Sequence, residues 1–206
     1  MSSHPLGLTV SHLIFGFSQR LLLADWSAHF GPGLTWVQGP NGCGKSTLLR
    51  LMGGAIAPQG GTLSINGCHA SQDPLAYRQQ VLWLGPDRIA FDHLKPLEWA
   101  GFMAGLYPRF DRAAFEQHWD AFALAPHQHQ RIAALSTGTQ RKLALAVAWA
   151  AQTPALLLDE PLSGLDAAAL AHAQAVLAVR AQSTEMVTVI ASHEALQATD
   201  VRVLGL

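Results

Sequence analysis

The 206-residue chain is predicted to be an α/β protein, with a parallel sheet at its core, an antiparallel β region near the N-terminus and a helical insertion. Three observations predict this. Short apolar runs at residues 34–37, 81–84, 155–158 and 186–191 are separated by helical patterns, as buried parallel strands joined by crossovers are. A glycine-rich loop at 39–44 stands directly between the first run and a helix. From about residue 89 to 134 aromatic residues recur at helical spacing, with Trp99, Phe102 and Met103 followed by Phe115, Trp119 and Phe122. A chain of this length suits one domain with at most a modest insertion.

The elements follow in order. Residues 8–15 mix β-branched and apolar residues with polar ones, and residues 21–30 give a second alternating segment, so the chain opens with antiparallel strands. Gly31-Pro32-Gly33 turns it into the strand at 34–38. After the helix that starts at 46, Gly60-Gly61 precedes a short strand, and Asn66-Gly67 reads as a hairpin turn. Residues 77–80 form a short helix before the buried strand 81–84, which Gly85-Pro86 bounds. The aromatics of the insertion are read mostly as core. Beyond it come an alanine- and leucine-rich helix from about 138 to 151, a buried strand from 155, a helix over 167–181, a buried strand over 186–191 and a closing strand over 201–204.

The loop Gly39-Pro40-Asn41-Gly42-Cys43-Gly44-Lys45-Ser46-Thr47 matches the phosphate-binding pattern of P-loop NTPases. Its glycines let backbone N–H groups curl around an anion, and the following helix adds the positive end of its dipole. Lys45 would reach the β- and γ-phosphates of ATP, and the Ser46 hydroxyl would ligate Mg²⁺. Asp159 and Glu160 end a buried strand, where ligands bind in open α/β sheets. An Asp-Glu pair after a strand is common by itself and gains its meaning from the phosphate loop. Asp159 suits the Mg²⁺ shell, and Glu160 suits polarising the attacking water. His193 follows the next strand and points toward the same sheet edge.

Composition bounds the partners. Thirteen basic against fourteen acidic residues leave a formal charge of -1, which favours neither nucleic acid nor an anionic membrane surface. Charged residues are 13% and hydrophobic ones 50%, whereas soluble domains average about 25% charged, so part of the surface is expected to meet a protein. Cys43 and Cys68 suggest neither a disulfide framework nor a metal site, which fits a reducing cytosol. The start lacks a basic segment followed by an apolar core, and no apolar run reaches the roughly 20 residues of a bilayer span.

Five ordered stretches resemble the ATP-binding subunit of ABC transporters: the phosphate loop, Leu135-Ser136-Thr137-Gly138-Thr139, residues 156–160, Ser163-Gly164-Leu165-Asp166, and His193. The resemblance implies a single ABC ATPase domain over 1–206, with 1–86 and 135–206 as a RecA-like core carrying the antiparallel β region and 87–134 as a helical subdomain. It implies that Ser136 and Gly138 belong to a signature loop capping the γ-phosphate bound by the opposite subunit. Asp166 is then the acid at the dimer interface, and His193 the histidine that contacts the γ-phosphate. Phe17 is the best placed aromatic for stacking on adenine, with Phe15 the alternative and a core role open to both. The sequence departs from the family at Thr137 and Thr139, which replace a glycine and a glutamine of the signature. The glutamine expected after the strand 81–84 is also missing, and Asp87, able to bind Mg²⁺ or its water, is the nearest equivalent.

The resemblance further implies a head-to-tail dimer with a second copy or a paralogous ATPase subunit. It implies as well a separate integral membrane permease, and a cytoplasmic location on the inner face of the cell membrane. Within the family, the length resembles the small subunit of the cytochrome c maturation haem exporter, and Tyr107-Pro108-Arg109-Phe110-Asp111 resembles ABC-2-type exporter subunits. Alternatives are a soluble ABC ATPase and a nucleotide-binding regulator without a transport role.

Overall fold

The computed structural model describes residues 6–17, 20–193 and 199–206. Two sheets organise it. Strands β1 (Leu8–Phe17), β2 (Arg20–Phe30), β4 (Gly60–Ile65) and β5 (Cys68–His69) form a four-stranded antiparallel sheet in the order β2-β1-β4-β5. The β4–β5 turn is the expected Asn-Gly hairpin, with Asn66 at φ 48 and Gly67 at φ 83, the left-handed pair that a type I′ turn requires. Strands β3 (Gly33–Gln38), β6 (Val81–Leu84), β7 (Ala155–Asp159), β8 (Val187–Ala191) and β9 (Val201–Gly205) form a five-stranded parallel sheet in the order β6-β7-β8-β3-β9.

The register of the parallel sheet sets the site. Val37 and Asp159 both pair with Ala191, so the carboxyl ends of β3, β7 and β8 lie at one level. The three segments that leave these ends, starting at Gly39, Glu160 and Ser192, therefore emerge along one sheet edge. Both β7 and β8 are buried throughout, which is why they read as unbroken apolar runs rather than as alternating ones.

Six helices complete the described chain: α1 (Lys45–Met52), α2 (Pro74–Gln80), α3 (Pro96–Leu106), α4 (Arg112–Ala121), α5 (Thr137–Ala150) and α6 (Ala167–Ala181). Two 3-10 turns, Ala125–His127 and Ile132–Ala134, fill the gap between α4 and α5. The helical insertion is thus two helices and two turns. Its Trp99, Phe115, Trp119 and Phe122 are buried together with Trp149 and the leucines of α5. Phe102 departs from the core expectation: it is exposed and packs on Phe91 with ring centroids 5.0 Å apart. Among the described residues no helix is long and apolar enough to cross a membrane.

Candidate functional site

The loop after β3 can close around an anion because its glycines occupy backbone regions that side chains avoid. Gly42 has φ 76 and Gly44 has φ 115. Helix α1 then begins with no side-chain cap and no acid in its first turn, which leaves its terminal N–H groups for a ligand. Lys45 is buried, and its Nζ donates to the carbonyl oxygens of Gly39 at 2.7 Å and Pro40 at 3.2 Å. The lysine thus folds back over its own loop.

A cavity of about 470 Å³ opens here. Asn41, Gly42, Gly44, Lys45, Ser46 and Thr47 line it from the loop, and Asp159, Glu160 and His193 line it from the ends of β7 and β8. Phe17, Arg20 and Leu22 contribute from the antiparallel sheet. Gly39, Pro40 and Cys43 complete the loop without lining the cavity. Phe17 is 56% exposed, whereas Phe15 is 8% exposed and packs edge-on against it at 5.1 Å, so burial leaves Phe17 as the ring facing the cavity.

Asp159 is 2% exposed, and its Oδ2 has no hydrogen-bond partner among the described residues. Burial pushes its carboxyl above the usual carboxylate range, opposed by a hydrogen bond from Ser46 and by the charges of Lys45 and Arg141. A buried carboxylate oxygen with no partner, beside a hydroxyl, fits a hard divalent cation such as Mg²⁺. Glu160 takes a left-handed backbone at φ 48, a conformation costing on the order of 1–3 kcal/mol for a residue with a side chain. Its N–H donates to the Ala191 carbonyl at 2.8 Å, which holds it there, and His193 Nε2 lies 3.2 Å from its Oε1.

Ser136, Gly138 and Asp166 form a second group that does not line the cavity. Ser136 caps α5, its Oγ accepting from the Thr139 N–H at 3.1 Å. A side chain at Gly138 would meet the Gly164 carbonyl oxygen at 2.7 Å, so the 163–166 segment packs where only glycine fits. Asp166 caps α6 through the Ala169 N–H at 2.9 Å and pairs with Lys142 of α5. Asp87 is exposed and lies outside the cavity, which its neighbour Pro86 lines instead. Arg141 entered no motif, yet its guanidinium is buried and feels the carboxylates of Asp159, Asp87 and Glu160. The one hint in the sequence is an arginine within an alanine- and leucine-rich helix.

A phosphate loop between an inner parallel strand and a helix, faced by an acid pair from the end of β7 on the far side of β8, defines a P-loop nucleotide-binding protein. The model of the ABC transporter family matches residues 23–163, and the chain belongs to that family. It is accordingly an ATP-binding, ATP-hydrolysing protein. It is 35% identical over 157 residues to the cytochrome c biogenesis ATP-binding export protein CcmA of Pseudomonas savastanoi pv. phaseolicola, covering 76% of this chain and 74% of that protein. Identity to the CcmA of Yersinia pestis is 30% over 180 residues, 87% of this chain and 82% of that one. Among solved structures, the ATP-binding subunit of an ABC transporter superposes with a TM-score of 0.79 at 25% identity, over 91% of this chain and 79% of the other. A bacterial Atm1-family ABC exporter with ATP bound gives 0.73 at 22% identity, over 99% of this chain and 38% of that one, and speaks to the fold alone.

Proposed function

We propose that the chain is the ATPase subunit of an exporter, dimerising head to tail around ATP to drive a separate integral membrane permease from the cytoplasmic face. The observation that carries this reading is the convergence of Lys45, Ser46, Asp159, Glu160 and His193 on one cavity. The relatives named for cytochrome c biogenesis export support the exporter class. The domain is read as 1–206, with 1–86 and 135–206 as core and 87–134 as the helical subdomain.

On ATP binding, Lys45 exchanges the Gly39 and Pro40 carbonyls for phosphate oxygens, while the loop N–H groups and the α1 N-terminus hold the remaining charge. Phe17 stacks on the adenine. Ser46 and Asp159 would hold Mg²⁺, which supplies neutralisation of the phosphate charge. Glu160 accepts a proton from water as the water oxygen bonds to the γ-phosphorus and the bond to the bridging oxygen breaks, releasing ADP and phosphate. His193, bonded to Glu160, orients that carboxylate and contacts the γ-phosphate. Water exclusion then requires Ser136 and Gly138 of the opposite copy. Replacing Glu160 by Gln should leave ATP binding intact and lower steady-state turnover by roughly 10²-fold or more. Parental turnover in the Glu160→Gln protein would remove Glu160 from catalysis.

A further inference from the structure

Arg141 sits on the buried face of α5 and is 7% exposed. Its Nη1–H donates to the Gly85 carbonyl at 2.7 Å and its Nη2–H to the Pro86 carbonyl at 2.8 Å. These are consecutive residues just beyond β6, and Pro86 forms part of the cavity wall while Asp87 comes next. A planar fork of donors matches two adjacent carbonyls in a way that a lysine ammonium does not. The same guanidinium feels the attraction of the carboxylates of Asp159, Asp87 and Glu160, which opposes the cost of its burial.

Two further bonds join the same pieces. Arg88 Nη2–H donates to the Leu135 carbonyl at 3.1 Å, and the Ile89 N–H donates to the Gln140 Oε1 at 3.3 Å. The segment 85–89 and the start of α5 are thereby one unit, and that helix begins next to Ser136. Among the described residues, Arg141's hydrogen bonds go to Gly85 and Pro86 and not to the phosphate loop.

We propose that Arg141 is a positioning residue for ATP hydrolysis: its two-pronged hold on Gly85 and Pro86 fixes one wall of the cavity to α5, and its charge balances the carboxylates gathered there. The inference rests on the ATPase reading above. It separates Arg141 from ground-state nucleotide binding, which the phosphate loop performs, and assigns it to the alignment of the reacting groups.

The test is steady-state kinetics of the full chain with Mg·ATP for the parent, Arg141→Lys and Arg141→Met, with turnover normalised to bound nucleotide and melting temperature recorded for each. Arg141→Met loses fork and charge, so kcat should fall about tenfold while KM stays within about twofold. Arg141→Lys keeps the charge and one prong, so its kcat should lie between the two. A purely structural tie would lower the melting temperature and leave kcat per bound nucleotide at the parental value, which would overturn the inference. A raised KM at unchanged kcat would also overturn it. Should Arg141→Met fail to fold, Arg141→Lys decides: a lower kcat at parental KM supports the inference, and parental kcat overturns it. A parent without turnover would overturn the ATPase reading and this inference with it, whereas an active parent beside an equally active Arg141→Met protein would overturn this inference alone.

Discussion

Lys45 is the cation at the centre of the phosphate loop, and its two bonds to loop carbonyls mean that the loop keeps its shape partly through the lysine. Lys45→Ala should abolish measurable ATP binding in a calorimetric titration while the chain stays folded, since the glycines and the α1 N-terminus remain; parental affinity would show that ATP binds elsewhere. Cys43 and Cys68 are both half-buried free thiols, so unequal protection between them reports the ligand rather than general access. Mg·ATP should slow alkylation of Cys43 and leave Cys68 unchanged, and equal labelling of both with and without nucleotide, read by mass spectrometry, would count against the loop. Residues of this kind are legible because each stands in a contiguous motif whose spacing carries the chemistry. Arg141 is not, because its partners lie 56 and 55 residues earlier in the chain and are backbone atoms of no particular sequence. Phe17 falls between these cases. Strict alternation would put Phe15 and Phe17 on the same face, and the register shift between Phe15 and Gly16 is what lets one ring be core while the other lines the cavity.

At the scale of elements, the strands of the parallel sheet were readable because burial on both faces leaves continuous apolar runs, and α6 because its periodic stretch ends cleanly at Asp166 and Gln182. The contact between insertion and core was not readable. Besides the apolar packing on α5, it includes a junction where His118 of α4 meets His172 of α6, Nδ1 to Nε2 at 3.1 Å, with Trp149 of α5 and Phe122 packed against the pair. Burial first, then the neighbouring His172 and Arg180, lowers the His118 pKa from 6.5 to about 4. Burial likewise pushes His172 down. The folded state therefore binds fewer protons than the unfolded state between pH 6.5 and about 4, so the stability contributed by this junction is present above pH 6.5 and is lost as pH falls through that window. Thermal unfolding at pH 7 and pH 5 should give a lower melting temperature at pH 5, and His118→Gln should shrink that difference. An equal drop in parent and variant would assign the acid sensitivity to other groups.

The whole molecule presents its two sets of signature residues in different places. The cavity gathers the phosphate loop, Asp159, Glu160 and His193 at one edge of the parallel sheet, while Ser136, Gly138 and Asp166 lie together outside it. The cavity of a single copy is open to solvent, and a second copy related by a two-fold axis would supply Ser136 to each cavity, giving a closed isologous pair. Net charge of -1 per chain offers little repulsion against such pairing. Because ATP then binds the pair more tightly than the single chain, blocking hydrolysis should shift the population to the dimer through linkage. Glu160→Gln with Mg·ATP should elute in size-exclusion chromatography with light scattering at twice the 22.1 kDa chain mass. Removing the nucleotide should return it to one. Asp159→Asn should give little dimer, because its contribution to Mg²⁺ is lost, and Ser136→Arg in the Glu160→Gln background should bind ATP yet remain monomeric, because the substitution obstructs the trans contact and, within its own chain, removes only the cap of α5. A Glu160→Gln protein that binds Mg·ATP and stays monomeric would sink the head-to-tail arrangement, and the substituted signature positions Thr137 and Thr139 would then be the first to restore to Gly and Gln.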